Sequence, residues 1–392
     1  MHVVFMDTLT WLERLVAFDT TSRNSNLALI ETIRDFLAQQ GVPVWLSHNA
    51  DCSKANLFAT LPAHDGNTQG GIVLSGHTDV VPVDGQNWDS DPFVLRHVDD
   101  RVYGRGSCDM KGFIATVLAQ IPYFLSLPRL KPLHLAFTYD EEVGCLGAPI
   151  LLAALAARNI RPDGCIVGEP TGMHVVVAHK SSHRMLCRVH GYAAHSSLTP
   201  HGCNAIEHAA ELICHIRALA EQYRHQGPYD PCFDVPYTTL STNLIHGGAA
   251  TNIIPAVCEF SYEFRSLPGT PVGEIQSAID HYIEHILLPK MRSESATARV
   301  ELEPGSSVPA LEAAEYAAIT ALAHALTQDT TSRKVAYATE GGQFQEAGIP
   351  TVVCGPGSIE AAHKPNEFVM FEQLQRCERF LRGLAISLCK TT

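Results

Sequence analysis

The chain has 392 residues, 46% of them hydrophobic and 18% charged, which is too long for one small domain, apolar enough for a sizeable core, and argues against disorder. Its formal net charge of −13 argues against nucleic acid or an anionic membrane surface as partner, while leaving room for a local pocket that takes a small anion. The 12 cysteines include no CxxC pair, Asp7, Glu13 and Arg14 interrupt the apolar pattern of Met1 to Phe18, and no apolar run approaches the ~18 residues of a membrane span. The expectation is therefore a reduced, cytoplasmic protein whose cysteines pack as small hydrophobes.

Apolar spacing predicts helices over Leu9 to Val16 and Asn26 to Gln40, the second stopped by Gly41. Strands follow at Asn56 to Leu61 and Gly71 to Gly76, then a helix from Lys111 to Leu127 ended by Pro128. A strand at Leu133 to Tyr139, a helix at Ala148 to Arg158 and a strand at Cys165 to Gly168 complete a pattern in which strands alternate with helices. That alternation predicts an α/β layer with a mostly parallel central sheet. The order then changes to strand Arg184 to Val189, helix Cys203 to Gln222, strands Thr239 to Ile245 and Val257 to Arg265, and helix Val272 to Leu287. This is an α+β order. After Pro309 the first pattern returns with helix Leu311 to Thr327, strands Val335 to Ala338 and Thr351 to Gly355, and helix Phe371 to Leu388. The expected architecture is one α/β domain, 1–181 with 297–392, interrupted by a smaller α+β domain over 182–296.

Five candidate ligands fall where strands run into loops, the end of an open α/β sheet at which sites assemble. They are His77, Asp109, Glu142, Glu169 and His363. Imidazoles with carboxylates suit zinc, and one carboxylate can share its two oxygens between two cations. Asp79, two residues beyond His77 and on the same side of an extended segment, is placed to fix the ring. The run Asp140-Glu141-Glu142 reads alone as a solvated acidic turn. Beside metal ligands, one Glu can ligate while its neighbour serves as general base. The Gly-rich run Gly104 to Gly112 lacks both common nucleotide-binding fingerprints, so Asp109 is better read as a capping or metal-binding carboxylate than as part of a phosphate cradle. His134, His208, His215 and His285 are read as structural, and Cys108 and Cys145 as packing.

In order, the motifs are Gly-His-Thr-Asp, Gly-Arg-Gly-x-x-Asp-Met-Lys-Gly, Asp-Glu-Glu, Gly-Glu-Pro-Thr and Ala-His-x-Pro-x-Glu. Across essentially the whole chain this series resembles the dinuclear zinc exopeptidases and deacylases, the family that includes acetylornithine deacetylases, succinyl-diaminopimelate desuccinylases and glutamate carboxypeptidases. The resemblance implies two divalent cations, zinc by default with cobalt able to substitute. It puts His77 and Glu169 on one, Glu142 and His363 on the other, and Asp109 between them. It makes Glu141 the general base and Asp79 the support of His77. It also implies that 182–296 is a lid and homodimerisation domain. In that domain His195 of Gly191-Tyr-Ala-Ala-His-Ser-Ser197 binds the oxyanion, Asn252 binds substrate, and Arg265 clamps the α-carboxylate. The stretches Ala338-Thr-Glu-Gly-Gly342 and Gly355-Pro-Gly-Ser-Ile359, the latter with the late Ala-His-Lys-Pro-Asn-Glu367, are most similar to the acetylornithine deacetylase branch. A Pro is missing after Arg265, where that branch would carry one. The implied reaction is hydrolysis of N2-acetyl-L-ornithine, with Glu340 or Glu367 as candidates for holding its side-chain amine. A desuccinylase, another N-acyl amino acid deacylase or a dipeptidase on the same site is the alternative, and a non-catalytic small-molecule-binding protein the more distant one.

Overall fold

The structure is a computed structural model that describes residues 6–390; Met1 to Phe5, part of the stretch Met1 to Phe18 whose apolar pattern is considered above, lie outside the described residues. It divides into two compact units. The first takes the described residues up to Ala178, then Leu311–Lys334 and the described residues from Thr339 onward; the second takes His179–Ala310 and Val335–Ala338.

The centre of the first unit is parallel. Strand Ile72–His77 lies between Leu133–Thr138 and Gly164–Pro170, and Thr351–Gly355 pairs in parallel with the far side of the last. All four strands are buried along their whole length, which explains their continuous apolar sequences, since both faces of a parallel sheet are covered. Val44–His48 and Ala55–Leu61 extend one side in antiparallel fashion, and Val176–His179 pairs antiparallel on the other, so the sheet is mixed around a parallel core. Helix Thr8–Val16 buries Trp11, Leu12, Leu15 and Val16, and it packs against helix Lys111–Ser126. The Asp7 side chain caps it by accepting from the Thr10 N–H at 2.8 Å.

Register decides where the chain leaves this sheet. His77 stands opposite Thr138, and Ser75 opposite Val167. The carboxyl ends of three neighbouring strands therefore deliver His77, the Asp140–Glu142 turn and Glu169 to one edge. The helix bearing Phe113 is pressed close against this edge: a Cβ added at Gly168 would lie 2.1 Å from Phe113 Cγ.

The second unit is a four-stranded antiparallel sheet in the order Thr239–Gly247, Val257–Arg265, Ser182–His190, Arg299–Val308. Cys258, Phe260, Tyr262 and Phe264 alternate inward along one strand. They meet Leu212 and Ile216 of helix Ala205–Gln226 and Ile275 and Ile279 of helix Val272–Tyr282 in a core of their own.

Two local expectations fail. Leu311 does not begin a helix: Leu311–Glu312 is a short strand, with the Ala313 N–H bonded to the Val177 carbonyl at 2.7 Å, and the helix starts at Ala318. Sheet pairing overrides the helical propensity of an alanine-rich run. The strand read at Val335 to Ala338 is instead Arg333–Val335. The second unit also reaches past residue 296, because Arg299–Val308, a charged sequence containing Pro304, pairs with Ser182–His190. Proline is tolerated there because this is an edge strand, and the register shifts between Pro304 and Ser307.

Gly168→Ala is expected to lower unfolding free energy by about 1–3 kcal/mol, the usual cost of overpacking a filled core, as read from chemical denaturation. Unchanged stability would mean that the Phe113 contact is loose.

Candidate metal centre

Seven of the ten residues singled out in the sequence meet at the carboxyl edge of the parallel strands. His77, at the end of its strand, places Nε2 2.9 Å from Asp109 Oδ1 and 3.7 Å from Glu169 Oε1. The other oxygen of Asp109, Oδ2, lies 3.2 Å from His363 Nε2, which is also 3.0 Å from Glu142 Oε2. Asp109 thus turns one oxygen toward the His77–Glu169 pair and the other toward the Glu142–His363 pair. Glu141 groups with His77 and Glu169, each offering an atom within 4.8 Å of the others.

Asp79 supports this cluster in more ways than its spacing suggested. The nearest acceptor for His77 Nδ1 is the Asp79 backbone carbonyl at 2.9 Å, with carboxylate Oδ1 at 3.6 Å. The carboxylate accepts the Glu141 N–H at 3.0 Å, the Glu142 N–H at 3.3 Å and the Ser22 hydroxyl at 2.7 Å. One aspartate therefore orients both the ring and the acidic turn. That turn needs the help, because Asp140 at its start is left-handed, φ +55°, and is paired with Lys54 at 2.5 Å. His363 is left-handed too, φ +62°, a conformation that costs a non-glycine residue on the order of 1 kcal/mol.

Glu367 organises the Gly-rich loop. Its Oε1 accepts the N–H groups of Cys108 at 2.9 Å and Asp109 at 3.0 Å, while Oε2 pairs with the buried Arg105 guanidinium at 2.6 Å. The amides that might have cradled a phosphate are filled by an internal carboxylate. Glu340 is likewise buried, accepting from Ser75 Oγ at 2.6 Å and Thr138 Oγ1 at 2.8 Å. Both acids considered for a substrate amine are thus bonded within the first unit. Sequence reading passed over Arg105 and Ser22; the Arg of the Gly-Arg-Gly motif was the available signal for the first, and nothing marked the second.

The electrostatics call for cations. Burial, with Glu142 and Asp109 nearby, pushes the Glu141 carboxyl up to about 8. Burial and Asp109 push Glu142 up to about 7, and the same two causes hold Glu169 well above the ordinary range. His363 is raised to about 10 by its bonds to Asp109 and Glu142. Burial works against a charged His77, but Glu169, Asp109 and Asp79 outweigh it and raise it as well. Glu169 Oε1 is buried without a hydrogen bond among the described residues. Two imidazoles, a carboxylate with divergent oxygens and a buried carboxylate oxygen that lacks a hydrogen bond together fit a pair of divalent cations. Cys108 and Cys145 are buried thiols raised well above the ordinary value by burial and by neighbouring carboxylates, so they stay protonated. All 12 cysteines are free.

The three remaining residues lie in the second unit. His195 precedes a short 3-10 turn, Ser196–His201, and its Nδ1 accepts the Ser197 N–H at 3.2 Å. That bond leaves the ring proton on Nε2. The Asn252 carbonyl accepts the Ser196 N–H at 3.0 Å, which ties the two segments together. Arg265 is half-buried at the end of its strand, with Nε 2.7 Å from Glu263.

Fold and site together describe a metal-dependent hydrolase. Residues 73–387 match the model of peptidase family M20/M25/M40. The chain is 34% identical, over 95% of its length and 94% of the relative's, to an acetylornithine deacetylase of Edwardsiella ictaluri. Among solved structures it is similar to a tripeptidase of Staphylococcus aureus, with TM-score 0.75, 19% identity and 98% of each chain covered. It is also similar to a dinuclear metal binding peptidase of Bacillus subtilis, with TM-score 0.65, 14% identity and 98% of each chain covered. The chain belongs to peptidase family M20/M25/M40.

Carboxyls and imidazoles held above their unfolded values bind protons more tightly in the folded state, so the stability they contribute is complete at low pH and is lost as pH rises through the folded values. The depressed Asp79 and Asp109 contribute a constant amount above pH ~4. Chelator-treated protein should therefore lose melting temperature steadily between about pH 6 and 9. Adding Zn²⁺ should abolish that slope, because a cation favours the charged carboxylate and the neutral imidazole. A flat profile without metal would contradict this account of the cluster.

Proposed function

We propose that the protein hydrolyses N2-acetyl-L-ornithine to L-ornithine and acetate, a step of arginine biosynthesis, in the cytoplasm. Agreement with an acetylornithine deacetylase over 95% of the chain carries this reading. It is supported by a donor set in which every position keeps a ligating residue type. Zinc is the proposed metal, held by His77 and Glu169 at one position and by Glu142 and His363 at the other, with Asp109 between. When bound, such a pair supplies Lewis acidity toward the amide carbonyl and lowers the pKa of water toward neutrality.

Glu141 is the proposed general base. It shares its turn with Glu142 but points into a different donor group, so one acid can ligate while the other moves a proton from water to the leaving amine. Asp79 holds both of them through their N–H groups. His195, with its proton on Nε2, is the proposed donor to the oxyanion, a role typically worth about 10²–10³ in rate. Asn252 is the proposed substrate contact and Arg265 the clamp for the α-carboxylate, a fork that matches a planar carboxylate.

The inserted unit is the proposed lid and dimerisation domain. Thr239–Gly247 is an edge strand whose Leu244 and Ile245 are 59% and 50% exposed. An open apolar edge of this kind is a template for pairing with a second chain. Replacing both residues with lysine should convert a homodimer to monomer in light scattering while preserving the melting transition. Persistence of the dimer would locate its interface elsewhere.

The reaction is tested with zinc-loaded protein on N-acetyl-L-ornithine, N-succinyl-diaminopimelate and a dipeptide. Acetylornithine should be cleaved best. Glu141→Ala should lower kcat by about 10²–10⁴ without loss of bound metal. Preference for another amide would overturn the substrate, and full activity of Glu141→Ala would overturn the base.

A further inference from the structure

Within the second unit, a cysteine, a histidine and a glutamate that the proposed reaction does not use converge. Cys203 and His208 flank the start of helix Ala205–Gln226, and Glu294 ends helix Leu288–Glu294. Cys203 is fully buried and His208 is 3% exposed. His208 Nε2 lies 2.9 Å from Glu294 Oε2, and one donor atom from each of the three residues lies within 4.8 Å of the others. His208 Nδ1 is buried with no hydrogen-bond partner among the described residues. The ring nitrogen that faces Glu294 is Nε2, so Nε2 is the atom this arrangement offers to an ion.

We propose that Cys203, His208 and Glu294 bind a thiophilic divalent cation of the zinc type, separate from the centre at Asp109. The donor set of one sulfur, one nitrogen and one oxygen is a zinc set, with a fourth tetrahedral position for water. Tetrahedral ligands at ~2.0–2.3 Å from a metal stand roughly 3.3–3.8 Å apart, so the donors must shift by no more than about 1.5 Å, with the 2.9 Å His208–Glu294 pair opening slightly. Glu294 is the exposed member, its side chain 37% accessible, and provides the way in. Binding exchanges the thiol proton of Cys203 for the metal, with the proton released to solvent. The bound ion would tie the end of helix Leu288–Glu294 to the base of the segment that carries His195, whose two ends, Tyr192 and Cys203, are joined by a pair of backbone hydrogen bonds at 2.9 Å.

Full-length protein stripped with chelator and titrated with Co²⁺ tests this directly. The Asp109 centre has only oxygen and nitrogen donors, so a near-ultraviolet thiolate-to-Co²⁺ charge-transfer band reports the new site alone. The band is expected in the wild type and in Asp109→Ala, which separates this outcome from any failure of the dinuclear reading. It is expected to vanish in Cys203→Ser and to need at least about 10-fold more Co²⁺ in Glu294→Gln, a change at an exposed residue that leaves the core intact. Absence of the band in wild-type protein, or its survival in Cys203→Ser, would overturn the proposal.

Discussion

Mutual repulsion among buried carboxylates is the constraint on which the rest of the first unit depends. Asp79, Asp109, Glu141, Glu142 and Glu169 share one edge of the sheet, and among the described residues only His77 and His363 are ion-pair partners of the cluster. Removing charges from water is expensive unless they are paired or coordinate metal. The raised carboxyls and imidazoles are the signature of a site that keeps protons in place of cations. Stability is therefore given up locally at this cluster, and a ligand that bound only the folded state there would return it.

Holding such a cluster requires a rigid frame, and two further buried acids help to provide it. Glu367 spans the Gly-rich loop from Arg105 to Asp109, and Glu340 bridges Ser75 and Thr138 on two adjacent strands. Each is fully bonded, so each orders backbone or strand positions within a residue or two of a ligand. Breaking a buried pair such as Arg105–Glu367 commonly costs ~3–5 kcal/mol because the surviving charge is left uncompensated. These residues act by position and touch no proposed reacting atom.

Much of this was legible in sequence, for identifiable reasons. The central strands announced themselves because both faces are buried, and the candidate ligands because they recur in short polar motifs, two of them, His77 and Glu169, at strand ends beside glycine or proline. Arg299–Val308 was missed because an edge strand keeps charged residues and tolerates Pro304, which erases the alternating pattern. Val44–His48 was missed for a related reason: it too is an edge strand, only half-buried. The segment 311–317 was misread because local composition favoured helix, whereas the bond from Ala313 to Val177 is a tertiary fact. In the site, the residues that cluster at the sheet edge were marked by residue type and order. The double duty of Asp79 was not, since it depends on where the N–H groups of Glu141 and Glu142 point.

The positions of Glu340 and Glu367 also bear on how substrate choice is built. Both were candidates to receive the side-chain amine of ornithine, and both are committed to internal partners at the sheet edge. A buried carboxylate already accepting two hydrogen bonds, or pairing a guanidinium, has little capacity to recognise a cation arriving from solvent without first giving up bonds worth more than it would gain. The late motif around His363 and Glu367 is thus explained by the contacts of His363 with Asp109 and Glu142 and by the hold of Glu367 on the Gly-rich loop. Discrimination among acyl amino acids has to come from other side chains. Glu367 is committed to Arg105 and to the N–H groups of Cys108 and Asp109, so a substitution there would be felt first in the folding of the Gly-rich loop.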